Sequence, residues 1–157
     1  MTSPRPVPRR LPEDGPTGDE VLRRVLARRR WALVGCSPDP RRPSHEVGTF
    51  LAGRGYRVIP VTPVAAQVLG ERAWPTLAAV PEPVEVVEVF RARPGPHVEE
   101  AIAAGVSAVW LPLGVVDESA AALVRAAGLD VVMDRCPVIE SSRLGLGAPA
   151  GGPAVEH

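Results

Sequence analysis

No lysine occurs in this sequence: all eighteen of its basic residues are arginine. A GC-rich coding bias accounts for that choice, but its chemical consequence does not depend on the cause. A lysine nucleophile and a Schiff base are excluded, and anions are met by planar guanidinium forks instead of ammonium point charges. Cysteine is scarce as well. Cys36 and Cys136 lie far apart and neither belongs to a Cys-x-x-Cys pair, so the spacing of a zinc site is missing. The three histidines, His45, His97 and His157, are scattered. Acidic and basic residues balance at 18 each, which removes any global attraction to nucleic acid or anionic lipid. No apolar run reaches the length of a membrane span. The N-terminus "MTSPRPVPRRLPEDGP" is basic but lacks the apolar segment of a secretory signal. The expectation is a cytoplasmic protein with neither nucleic acid nor membrane as a partner.

What remains is a chain of 157 residues with 45% apolar content, suited to one domain that buries its own core. Residues 1–16, rich in proline and arginine, read as a flexible arm, and residues 145–157, "GLGAPAGGPAVEH", as a flexible tail. Between them, over 17–144, short Val-rich strands alternate with helices. Thr17 is placed to cap a first helix, with Asp19 and Glu20 in its first turn. Strands are predicted in "WALVGC", "YRVIPV", "VEVVEVF", "VSAVWLPL" and "LDVVMD". Helices are predicted from Ser44 as N-cap, in "PHVEEAIAAG", in "DESAAALVRAAG" and in "PVIESSRLG". Pro60 is awkward in a central strand and points to an edge or a bulge. The alternation predicts an α/β, Rossmann-like, doubly wound fold: a mainly parallel five-stranded sheet with helices on both faces. Ligands of such folds lie outside the carboxyl ends of the strands. That directs attention to residues 36–44, 62–64, 90–93, 112–114 and 134–137.

The first of these windows, "GCSPDPRRPS", departs from a dinucleotide fingerprint. Gly35 is present, but Ser37 and Pro40 stand where further glycines belong, and no Asp or Glu follows the second strand in "VIPVTP". NADP stays open because Arg41 or Arg42 suits a 2′-phosphate. A P-loop is excluded with lysine. The loop has its own logic as an anion site. Ser44 stands at a helix start, Arg41 and Arg42 supply multi-donor cations, and three prolines limit the entropy lost on closing over a ligand.

Three segments together, "VGCSPDPRRPSHEVGTFLAGRGYRVIPVTP", "LGERAWPTLAAVPEPVEVVEVFR" and "AVWLPLGVVDESAAALVRAAGLDVVMDRC", resemble the stand-alone CoA-binding domain family. That family is similar to the N-terminal CoA-binding domain of the succinyl-CoA synthetase alpha subunit. The resemblance spans about residues 20–144 and implies coenzyme A, or an acyl-CoA, as the ligand. It also implies where the ligand lies. Gly35, Cys36, Ser37 and the loop through Ser44 meet the pyrophosphate, and Arg41 and Arg42 neutralise phosphate charge. Thr62 and Pro63 border the adenosine, while Phe90, Arg91, Leu113 and Gly114 line the pantetheine side. Relatives commonly carry Asn-Pro where this chain has Thr62-Pro63, Gln at Pro112 and His at Ser141, so departures concentrate toward the thiol end. The synthetase's phosphorylated histidine lies in a second domain that this sequence does not contain. The resemblance therefore implies binding without catalysis, for sensing, buffering or delivery. An NADP or NAD binder with oxidoreductase activity, and a ligand-free interaction module acting through the Pro/Arg-rich arm, are the alternatives.

Few residues suggest chemistry. Cys136, after the last strand, is placed for thiol exchange with CoA or for packing at the sheet's mouth. Cys36 reads mainly as core. Glu85 and Glu88, three apart in a strand, point to opposite faces and form no acid–base pair.

Overall fold

The computed structural model of the chain describes residues 18–147. The arm expected over 1–16, the Thr17 cap and residues 148–157 of the expected tail lie outside them. The order of elements is α1 (Asp19–Leu26), β1 (Arg30–Val34), α2 (Pro43–Gly53), β2 (Arg57–Val61), β3 (Gln67–Val68), β4 (Glu71–Arg72), a 3-10 turn (Leu77–Ala79), β5 (Val86–Val89), α3 (Gly95–Ala103), β6 (Ala108–Pro112), α4 (Glu118–Ala126), β7 (Asp130–Arg135) and α5 (Pro137–Arg143). Five strands form one wholly parallel sheet in the order β2-β1-β5-β6-β7. The expected Rossmann-like architecture is therefore present.

Both faces of the sheet are covered, which is why its strands read as near-continuous apolar runs. On one face, Trp31, Leu33, Val86 and Trp110 pack with Leu22 and Val25 of α1 and with Val47 and Leu51 of α2. The Trp31 and Trp110 rings lie 5.5 Å apart, and both indole N–H groups donate to backbone carbonyls, of Arg28 and Arg135. On the other face, Ala32, Val34, Val87, Val89 and Val109 pack with Val98 and Ala101 of α3 and with Ala121 and Val124 of α4.

Strand β2 is the sheet edge, which resolves Pro60. The two ends of the strand bond toward β1, through Arg57 N–H to Arg29 O and Gly35 N–H to Val61 O. The Pro60 carbonyl instead faces outward and accepts the Trp74 N–H. The missing proline donor thus falls on the side away from β1 and removes nothing from the ladder. The β3–β4 hairpin was not legible, because each strand has two residues. It turns on Leu69 and Gly70, with φ of 60° and 73°. Leu69 also explains a glycine inside α2: a Cβ on Gly48 would stand 2.4 Å from Leu69 Cδ1.

At the C-terminus the expected tail begins too early. Leu146 packs against the core, its N–H donates to Ser141 O, and its carbonyl accepts from Arg54 Nη1 at 2.9 Å. Residues 145–147 belong to the folded unit.

Candidate functional site

From β1 the chain passes through α2 to β2 at one edge, then returns to β5 on the other side of β1. The strand order reverses between β1 and β5, and a crevice opens there at the carboxyl ends. Gly35 sits at this point with φ +83°, and a Cβ on it would approach the Phe90 carbonyl oxygen to 2.7 Å. Only glycine lets the two strand ends come this close.

The following loop is closed by its own hydrogen bonds. Ser37 N–H donates to Ser44 Oγ at 2.9 Å, Asp39 N–H to Ser37 Oγ at 3.0 Å, and Arg42 N–H to Asp39 O at 3.0 Å. Here the expectation for Ser44 is corrected. Arg42, in extended conformation, is the N-cap residue, and Pro43 opens α2. Proline's fixed φ and missing N–H suit the first helical position, so the helix starts two residues earlier than a Ser44 cap would set it. The Ser44 hydroxyl then ties the loop to the helix instead of capping it.

A cavity of about 500 Å³ occupies the crevice. The first loop contributes Gly35, Cys36, Ser37, Arg42, Pro43 and Ser44 to its wall, and the end of β2 contributes Thr62 and Val64. Phe90, Arg91 and Ala92 follow β5, and Pro112, Leu113 and Val115 follow β6. Three expected site residues lie elsewhere. Arg41 turns away, its side chain 88% exposed and its guanidinium forked onto Asp39 at 3.1 and 3.0 Å. That pairing holds the Asp39 carboxyl below its ordinary range and leaves Arg42 as the loop arginine on the cavity. Pro63 lines a shallower recess of about 350 Å³ that shares Thr62 and Val64 with the main cavity. Gly114 does not line the wall. Its N–H donates to Asp134 Oδ1 at 2.8 Å and so holds the loop that carries Leu113.

Asp134 has φ 60° and marks a bulge in β7, where the register with β6 jumps from Trp110–Val132 to Pro112–Arg135. The bulge aims the Asp134 carboxylate across the strand end. Of the lining residues not expected by name, Val64, Ala92 and Pro112 fall in the windows that follow strands. Pro43 lies within the loop, and Val115 one residue beyond its window.

The cavity is cationic. Among the described residues neither the Arg42 nor the Arg91 guanidinium has an ion pair or a hydrogen-bond acceptor, and no carboxylate lines the wall. Cys36 borders the cavity but is itself fully buried. Burial, and then the nearby Glu88 carboxyl, push its thiol up to about 12, so it stays protonated and unreactive at neutral pH. Cys136 packs against the α1–α2 side of the core and does not line the cavity. Glu85 and Glu88 do diverge. Glu85 accepts the Arg29 and Arg30 N–H groups at the amino end of β1. Glu88 lies fully buried, in register between Leu33 and Trp110, and neither of its oxygens has a hydrogen-bond partner among the described residues. Desolvation holds its carboxyl well above the ordinary range.

These features define a doubly wound α/β domain with a cavity at its switch point that is lined by Arg42 and Arg91. Residues 29–142 match the CoA binding domain family, and the chain belongs to it. Among its relatives is the uncharacterized protein YneT of Bacillus subtilis (strain 168), 33% identical over 124 residues, or 77% of this chain and 91% of that protein. A hypothetical protein from Pyrococcus horikoshii OT3 superposes with a TM-score of 0.77 at 36% identity, covering 92% of this chain and 99% of that one. The dinucleotide-forming acetyl-coenzyme A synthetase 1 of Candidatus Korarchaeum cryptofilum, solved with phosphate and ADP, shares the fold. Its TM-score is 0.60 at 20% identity, over 72% of this chain and 27% of that longer one.

Proposed function

We propose that the protein binds coenzyme A, free or acylated, and carries out no reaction on it, acting as a sensor, buffer or carrier of the cofactor. The observation that carries this reading is the pair of guanidinium groups, Arg42 and Arg91, that have no ion pair among the described residues, on a wall without carboxylates beside the start of α2. That is the charge a polyphosphorylated ligand requires, in a chain of the CoA binding domain family. The adjoining recess past Thr62 offers room for the adenosine arm. A passive role fits a lining whose thiol, Cys36, is fully buried and held protonated.

Thermal shift with CoA, dephospho-CoA, NAD and NADP tests the reading. A ligand at about 100 times its Kd stabilises by about 2.7 kcal/mol, so CoA raises Tm and the dinucleotides do not. A shift with NADP and none with CoA makes the protein a nicotinamide-nucleotide binder. No shift with any of them favours an interaction module. Arg42→Ala weakens CoA binding about tenfold, the loss of one charge-assisted contact of about 1.5 kcal/mol. Arg41→Ala, whose guanidinium serves Asp39, changes affinity far less.

A further inference from the structure

The cavity wall is divided by chemistry. Toward β1 and β2 it presents Ser37, Arg42, Ser44 and Thr62. Toward β5 and β6 it presents Phe90, Ala92, Pro112, Leu113 and Val115, with Arg91 at the boundary. A ligand with its phosphates at the Arg42 end therefore sends its other end along β5 and β6. On that side Leu113, a wall residue, and Val116, next in the chain to the lining Val115, are each 61% exposed.

These side chains are not exposed because the loop is loose. Gly114 N–H is held by Asp134 Oδ1 at 2.8 Å, Val115 N–H by Pro112 O at 2.9 Å, and Asp117 N–H by Met133 Sδ at 3.4 Å. Asp117 in turn caps α4 by accepting the Ala120 N–H at 2.9 Å. A firmly anchored loop that keeps two large apolar side chains in water marks a recognition surface. The wall between Phe90 and Val115 offers a terminal thiol no carboxylate, imidazole or hydroxyl. A thioester needs none of these, and its alkyl chain matches the surface.

We infer that the site is built for an acyl-CoA in preference to free CoA, with the acyl chain laid along Leu113 and Val116. This rests on the CoA reading above and names the ligand class of that same cavity. The continuity of the patch with the cavity selects a chain that leaves the cavity over a docked protein.

The test is calorimetric titration of the full chain with CoA, acetyl-CoA and octanoyl-CoA, repeated on the Leu113→Ser/Val116→Ser double variant. A fully buried methylene is worth about fourfold in affinity and one on an open surface less, so octanoyl-CoA binds at least about tenfold tighter than CoA. In the double variant that ratio collapses to about threefold or less, with Tm confirming that the variant folds. Equal affinity for CoA and octanoyl-CoA overturns the inference and leaves the CoA reading intact. Failure of all three to bind overturns both. If the double substitution instead dissociates a dimer in sedimentation, the patch holds a second copy of the chain and the inference fails.

Discussion

Replacing Glu88 with methionine raises the stability of the fold, and the gain grows with pH. Glu88 is fully buried, in register between Leu33 and Trp110, with both carboxyl oxygens unpartnered among the described residues. Methionine keeps the unbranched shape and removes the polar group. In acid, where the carboxyl is neutral in folded and unfolded chains alike, relief of an unsatisfied buried group is worth about 1–3 kcal/mol. Burial holds the folded carboxyl well above its unfolded value. Between those two values the folded protein carries one more proton than the unfolded chain. Glu88's contribution to wild-type stability therefore falls as pH rises from about 4.3, by about 1.4 kcal/mol per pH unit, until the raised folded value is reached. The methionine variant lacks this slope. The assay is urea unfolding of both proteins at unit pH steps from 4 to 8. For a fold of this size each kcal/mol also appears as about 3–5 °C in Tm. Stability curves that run parallel with pH, or a wild type more stable than the variant throughout, would refute the reasoning.

Gly35→Ala forces an alanine to φ +83° and brings its Cβ to 2.7 Å from the Phe90 carbonyl oxygen. It should cost at least about 2 kcal/mol and weaken CoA binding as the ends of β1 and β5 part; an unchanged Tm would show that the strand ends yield freely. Asp134→Gly sets two effects against each other. Relief of a left-handed non-glycine residue returns about 1–2 kcal/mol, while loss of the hydrogen bond to Gly114 costs a similar amount. Tm should stay nearly constant while the Gly114 amide exchanges faster with solvent; unchanged exchange would mean that Asp134 does not hold the loop.

The fold was legible because burial on both faces writes each strand as an apolar run between glycine and proline signals. The position of the crevice followed from the alternation of strand and helix. Contacts within a loop were not written there. Nothing in "PDPRR" says that Asp39 takes the first arginine and leaves the second for the cavity, since that depends on the turn geometry. Pro43 displaced Ser44 from the cap because two adjacent helix-start signals compete, and proline's fixed φ won. Glu88 stands in an apolar strand expected to be covered on both faces, but nothing local says that its carboxyl finds no partner there among the described residues. The bulge at Asp134 is a register event between β6 and β7, invisible to any local pattern.

The central claim is the place of the ligand. A crystal structure of the full chain with CoA tests it most directly. The account predicts the pyrophosphate over Ser37 and the start of α2 within reach of Arg42, the adenosine past Thr62, and the pantetheine along Phe90 toward Leu113. Clear density for CoA at any other surface, with the crevice between β1 and β5 left empty, would contradict it.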